Sequence, residues 1–342
     1  MRYLTAMSGG VDSSAAAYLL KEQGHYVEGA IMRLSPFSDG SDIASAQAVC
    51  DRLGIKLNVF DMRKEFERDV IRPFCEQYLD CKTPNPCVFC NHSLKFGAFL
   101  DRALELGFDG IATGHYAKIV CVNGRYAVSR ADSEEKDQSY FLWDIPQSAL
   151  SRTVFPLGEF QSKDEVREIA KKAGLPSASR SDSQDICFIK NGEYADFITK
   201  HTGVKQPEGD FVDKDGKILG RHNGLLNYTL GQRRYLNVAA GRRIFVLEKN
   251  ADENTVVLGD EQELYRGRIK AEKVRLQLYE STDGTKKLDV KIRYGKKSAP
   301  AYVVSDGGTA DIAFETPQRA PAPGQSVVFY DGKLLVGGGF IC

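Results

Sequence analysis

The sequence predicts an α/β chain in which a parallel sheet with helices on both faces is followed by two small, mainly β domains. Three observations carry this reading. Short apolar runs alternate with helical patterns through the first half, a glycine–serine string joins the first strand to the first helix, and the texture turns to glycine-rich turns and short strands after about residue 200.

Taken in order, the apolar runs 3–7, 26–32 and 57–60 read as strands, separated by helices from about residue 13 and over 43–53. After a cysteine-bearing loop the pattern resumes with a helix over 94–106, a strand at 110–113 and a hairpin turning at Asn123-Gly124. Ser162 and Glu165 form a capping box; Val166, Ile169, Ala170 and Ala173 make the apolar stripe behind it, and Gly174 with Pro176 ends the helix. The catalytic domain is therefore expected over 1–200, a small central domain over 201–266 and a barrel-like β domain over 267–342, where runs such as 288–293 and 326–330 alternate. No repeat of about 20 to 50 residues and no low-complexity tract interrupts this order.

A chain of 342 residues buries a core large enough to fold without a metal or disulfide staple. With 46 basic against 46 acidic residues there is no general electrostatic case for nucleic-acid binding. An RNA partner has to be held by local clusters such as Arg233-Arg234, Arg242-Arg243, Lys291 with Arg293, and Lys296-Lys297. The amino terminus carries no charged leader before an apolar stretch, and no run of about twenty apolar residues occurs, so no membrane association is expected and the protein reads as soluble and cytoplasmic. Its eight cysteines are then expected to be reduced thiols whose spacing matters.

Ser8-Gly9-Gly10-Val11-Asp12-Ser13-Ser14 lies between the first strand and the first helix. Two glycines permit close backbone approach, and the hydroxyls are expected to cap a helix whose positive end faces the loop, which makes an anion cradle. A bare glycine turn is the plain alternative, but the position after the first strand favours the cradle. It is not a Walker A loop, because G-x-x-x-x-G-K-[ST] is absent. Asp12 is placed either to hold Mg2+ on a pyrophosphate or to cap the helix a second time.

Cys81-Lys82-Thr83-Pro84-Asn85-Pro86-Cys87-Val88-Phe89-Cys90-Asn91 contains prolines expected to exclude helix and to stiffen a loop that presents its thiols. Another thiol lies in Ser181-Asp182-Ser183-Gln184-Asp185-Ile186-Cys187-Phe188-Ile189. Cys50, Cys75 and Cys121 read as small apolar residues, and the terminal Cys342 receives no role.

SGGVDS, TPNP-x-x-x-CN, ATGHYA, KDQSYFL, DSQ-x-ICFI, LGQRR and PQRAPAPGQ-x-VVFY with GGG occur in one order. In that order the chain resembles the tRNA-specific 2-thiouridylases, members of the N-type ATP pyrophosphatase (PP-loop) superfamily, over nearly its whole length. The resemblance implies a Rossmann-like catalytic domain that uses ATP and Mg2+, makes an AMP adduct of the 2-carbonyl of the wobble uridine in tRNA, and replaces that oxygen with sulfur from a donor protein or sulfide. It implies ATP contacts at Ala6, Met7, Ser8, Gly9, Gly10, Val11, Asp12, Ser13, Met32 and Gly114. Catalytic roles fall on Cys90 as nucleophile and Cys187 as persulfide carrier. Asn85, Pro86 and Cys87 are expected at the target base, and His115, Lys136, Asp137, Gln138, Arg293, Tyr294 and Gln325 at tRNA.

One departure stands out: the loop reads C-x-x-C where the family usually has D-x-x-C, with Cys87 in place of the aspartate. Three chemistries suit the thiols. A 4Fe-4S cluster on Cys87, Cys90 and Cys187 is preferred, a persulfide relay between Cys90 and Cys187 comes next, and zinc held by Cys81, Cys87, Cys90 and Cys187 last. Two other functions stay open: a PP-loop amide or guanidine synthetase acting on a small metabolite, which leaves Cys90 and Cys187 idle, and a noncatalytic RNA-binding protein on the same scaffold.

Overall fold

The structure, a computed structural model, describes residues 1–34, 40–179, 186–189, 193–239 and 241–342. Strands β1 (Arg2–Ala6), β2 (Tyr26–Arg33), β3 (Leu57–Asp61), β4 (Gly110–Ala112), β5 (Ala117–Val122), β6 (Arg125–Arg130) and β7 (Thr153–Val154) come from the first half, with helices α1 (Val11–Glu22) and α2 (Ser41–Leu53) between the first three. Five of these strands form one parallel sheet in the order β3-β2-β1-β4-β7. Because side chains alternate along a strand, Leu4, Ala30 and Ile111 enter the core on one face while Tyr3, Ile31 and Ala112 enter that on the other. Both faces are covered, as the apolar runs predict.

The cysteine segment departs from expectation. Instead of a loop, helix begins at Pro86: an α-turn over Pro86–Phe89 runs into a π-wound stretch, Cys90–Ala98, and then into α-helix Phe99–Glu105. Pro86 takes the first helical position, where its missing N–H leaves no bond unmade, so this proline starts a helix rather than forbidding one.

β5 and β6 form the hairpin predicted at Asn123-Gly124, both turn residues having positive φ (50° and 80°) as a type I′ turn requires. The hairpin leaves the parallel sheet, and Ser129 pairs with Leu334 of the last strand. That strand belongs to a six-stranded barrel, Tyr265–Leu276, Thr282–Lys291, Ala299–Ser305, Thr309–Arg319, Ser326–Asp331 and Leu334–Ile341, closed by pairing of its first and last members. Trp143, fully buried, seals the junction: its indole N–H donates to Ser326 Oγ at 3.1 Å, and a Cβ on Gly338 would stand 2.6 Å from the ring. Between these parts, strands Gly209–Val212, Ile218–His222, Phe245–Asn250 and Thr255–Gly259 make a small sheet around buried Phe211. Among the described residues no helix is long and apolar enough to cross a membrane.

Cys50 and Cys75 are buried as expected, but Cys121 is exposed on the hairpin, so its small-apolar reading is corrected. Burial pushes the Cys50 and Cys75 thiols up to about 11 from 9.0. Above pH 9 the unfolded chain releases these protons while the folded chain keeps them, so stability falls as pH rises from 9 towards 11. The expected loss at pH 10 is roughly 1 kcal/mol or less per thiol, and replacing both by alanine should flatten that part of a urea-midpoint profile measured from pH 8 to 10.5. An unchanged slope would show that these thiols ionise freely in the fold.

Candidate active site

At the carboxyl edge of the parallel sheet, Gly9 (φ 71°) and Gly10 turn the chain from β1 into α1. The serines do not cap the helix as expected. Gly10 is the N-cap and makes no side-chain cap bond, while the Ser13 and Ser14 hydroxyls donate back to the Gly10 carbonyl at 3.2 and 2.8 Å. Ser8 N–H donates to Ser13 Oγ at 3.1 Å, which folds the loop onto itself. With no side chain over it, the positive first turn of α1 faces the loop as an anion site.

Asp12, in that first turn, is held from two sides. Its Oδ1 accepts from Tyr116 Oη at 2.9 Å and its Oδ2 from Lys163 Nζ at 3.0 Å, the lysine being buried at the start of the helix that Ser162 caps. As placed, the carboxylate balances Lys163 rather than standing free as a magnesium ligand. Gly114 follows β4, and a Cβ there would stand 2.8 Å from the Asp12 carbonyl carbon and the Ser13 nitrogen, so glycine is what lets the β4 loop touch the phosphate loop.

A cleft of about 490 Å³ opens here, lined by Ala6, Met7, Ser8, Asp12 and Ser13 of the loop, by Met32 and Arg33 at the end of β2, by Lys95, Gly114, His115 and Gln138, and by Cys187 with Phe188. It thus joins most of the expected nucleotide contacts to the expected sulfur carrier. A larger groove of about 1150 Å³ lies over the barrel near Arg266, Lys270 and Cys342, but holds neither the phosphate loop nor these thiols.

Cys187 is positioned by its neighbours in sequence. Phe188 packs edge-on against Phe66 and Phe74 with ring centroids 5.5 and 5.3 Å apart, and Ile189 is buried. The residues Ser183, Gln184 and Asp185 of the same motif lie outside the described residues. Cys90 is buried, whereas Cys87 and Cys187 keep solvent access. Desolvation raises all three thiols; Cys187 is pushed up to about 12, first by burial and then by the charge of Cys90 and Cys87 beside it, while Lys95 opposes the rise at each. The three thiols therefore share one electrostatic neighbourhood.

They do not form a metal site as placed. Among the described residues no group of three or more His, Cys, Asp or Glu side chains could hold a metal ion. A cluster on Cys87, Cys90 and Cys187 needs its thiolates converged, and as placed these three share a neighbourhood without forming such a group. Cys81, at φ 59°, packs against the apolar core of the middle sheet rather than beside the other three thiols.

The residues matched to tRNA are distributed unevenly. His115 sits in the cleft wall, with Nδ1 2.7 Å from Thr113 Oγ1 and its ring against Phe96 and Phe155; burial, then Lys95, hold its pKa well below the usual value, so the imidazole is neutral. Asp137 is turned inward, accepting from Ala131 N–H and from the Ser139 N–H and hydroxyl, while Gln138 accepts from Tyr116 N–H and Lys136 pairs with Glu135. Arg293 donates to the Ala320 carbonyl at 3.0 Å, and Tyr294, more than a third exposed, leans on Phe141 at 4.5 Å. Gln325 Nε2 donates to the Thr83 carbonyl at 2.8 Å, and Thr83 N–H to the Pro323 carbonyl at 2.7 Å, so the closing motif clamps the segment that carries Asn85, Pro86 and Cys87. Sequence reasoning missed Lys95, Tyr116 and Lys163, although ATGHYA contains Tyr116 and the Ser162 cap fixes the helix that starts with Lys163.

Comparison with known proteins gives three family models in succession: a tRNA methyl transferase HUP domain over residues 1–191, a tRNA methyl transferase PRC-barrel domain over 195–260 and an aminomethyltransferase beta-barrel domain over 266–341. The tRNA-specific 2-thiouridylase MnmA of Clostridium acetobutylicum is 43% identical, covering 99% of both chains. That of Clostridioides difficile is 42% identical over 99% of this chain and 98% of its own, and that of Acetivibrio thermocellus 41% over 99% of each. Among solved structures, a 4-thiouridine synthetase in complex with RNA and bound ATP is 20% identical with a TM-score of 0.38, covering 54% of this chain and 44% of that one. With such relatives aligned from end to end, the chain belongs to the tRNA-specific 2-thiouridylase family.

Proposed function

We propose that this chain is an ATP-dependent tRNA 2-thiouridylase that works on the wobble uridine of tRNA by a persulfide relay. The observation that carries the reading is one cleft holding both the open phosphate loop and Cys187, with Cys90 and Cys87 beside it. In the first half-reaction the uridine 2-carbonyl oxygen attacks the α-phosphorus of ATP, and pyrophosphate leaves with the broken P–O electron pair. The positive end of α1 suits the charge on those phosphates. Magnesium enters as the nucleotide's own counter-ion.

In the second half-reaction the terminal sulfur of a Cys187 persulfide loses its proton and attacks C2; the C2–O bond breaks and AMP leaves with its electrons. Cys90 thiolate then attacks Sγ of Cys187. The bond to the transferred sulfur breaks, leaving 2-thiouridine and a Cys90–Cys187 disulfide, which a dithiol reductant returns to two thiols. A donor protein that carries a persulfide reloads Cys187 when the Cys187 thiolate attacks its outer sulfur and the donor cysteine leaves as a thiolate; sulfide reloads it instead by attacking Sγ of Cys187 in the unreduced disulfide, with Cys90 leaving as the thiolate. Asn85, Pro86 and Cys87, on the helix start clamped by Gln325, meet the base, and the exposed pairs Arg233-Arg234, Arg242-Arg243 and Lys296-Lys297 are available to tRNA phosphates. Its substrate puts the enzyme in the cytoplasm.

The test is pyrophosphate release with tRNA against small amide-forming acids and guanidine precursors. Release that depends on tRNA carrying the wobble uridine is expected, with stimulation of about tenfold or more over ATP alone. Release driven by a small metabolite and indifferent to tRNA would favour a synthetase, and none with any substrate would favour a noncatalytic binder.

A further inference from the structure

Lys95 is half-buried in the cleft wall with Ser8, Asp12, Ser13 and Cys187, and no ion pair to a carboxylate among the described residues engages its ammonium. Its placement follows from the π-winding of Cys90–Ala98. A π-turn closes from residue i to i+5, which turns Lys95 towards the side of the helix that carries Cys90; ordinary α-winding would carry Lys95 about 140° around the axis from Cys90. Gly97 supports the irregular winding, with φ −108° and ψ −106°, and a Cβ there would stand 2.9 Å from the His92 carbonyl oxygen. On either side of Lys95, Leu94 and Phe96 are buried at 0% and 2% exposure, so the backbone that carries the lysine is anchored.

With no carboxylate pairing with it among the described residues, the Lys95 ammonium is left facing the cleft. The groups beside it are sulfur atoms that act as anions, and Lys95 opposes the effect of burial at Cys87, Cys90 and Cys187 alike. Arg33, Asp12, Asp42 and His115 complete the charged and titratable lining of the cleft. Asp12 is engaged by Lys163, and His115 is neutral.

We propose that Lys95 is the charge-stabilising residue of sulfur transfer, holding the Cys90 thiolate and the anionic persulfide of Cys187 next to the phosphate loop. The inference rests on the relay described above and adds the cation that the relay needs. Because Lys95 lines the same cleft as Ser8 and Ser13 of the phosphate loop and as Cys187, one ammonium is placed to serve both the attacking sulfur and the departing phosphate.

Lys95→Met and Lys95→Arg are compared in two measurements. In single-turnover assays on tRNA, Lys95→Met should lower thiolation at least about tenfold more than it lowers pyrophosphate release, with Lys95→Arg recovering part of the loss. In the resting enzyme at one fixed pH, Lys95→Met should slow iodoacetamide alkylation of the accessible Cys187 by about tenfold, again partly restored by arginine. Equal losses in both half-reactions with unchanged alkylation would overturn the proposal and make Lys95 a nucleotide contact only. Should the unsubstituted protein fail to thiolate tRNA, the functional reading falls, while the alkylation comparison still decides whether Lys95 serves these thiols.

Discussion

Cys187→Ser is expected to lower single-turnover thiolation of tRNA by about a thousandfold or more, while tRNA-dependent pyrophosphate release falls far less. The hydroxyl carries no transferable sulfur, but it leaves the phosphate loop and the Phe188 anchor in place. Adenylated uridine should then accumulate, detectable by mass spectrometry of nuclease-digested tRNA. Cys90→Ser should block later: transferred sulfur remains linked to Cys187, giving a protein–tRNA adduct that dithiothreitol releases. If either serine variant keeps normal thiolation, its thiol is not in the path.

Gly114→Ala carries the second large effect. The added methyl would meet backbone atoms of Asp12 and Ser13 at 2.8 Å, and backbone cannot swing aside as a flexible side chain can. Either the β4 loop or the first turn of α1 must move. A stability loss of about 1–3 kcal/mol is expected from overpacking, with KM for ATP raised about tenfold or more. Thermal shifts with and without ATP separate the two, since a deformed phosphate loop loses the shift that ATP gives to the unsubstituted protein. Unaltered ATP affinity would mean that the contact has slack.

The parallel sheet was legible because apolar runs and helical patterns alternate with little ambiguity, and the hairpin because Asn123-Gly124 demands one turn type. What the sequence hid lies where two rules compete. Pro86 reads as a breaker by composition, yet it starts a helix once it falls at the first position. The π-winding after it has no periodic signature, so nothing in the spacing singled out Lys95 or set it in the cleft with Cys187. Serines of the phosphate loop read as caps, but their hydroxyls turn back to Gly10 and leave the helix end open. Thiol spacing suggested a cluster; three-dimensional placement gives neighbours in one field without a ligand set. Family motifs pointed to Gln325 and Asp137 without saying which way they face, and both side chains bond within the protein.

The most direct test of the relay loads Cys187 with one persulfide on iron-free protein, adds ATP and transcribed tRNA without oxygen or reductant, and follows both products through a single turnover. One 2-thiouridine per persulfide, matched by one Cys90–Cys187 disulfide in the peptide map, is the result predicted. Thiolation that appears only after iron and sulfide are restored, with no such disulfide, would contradict it.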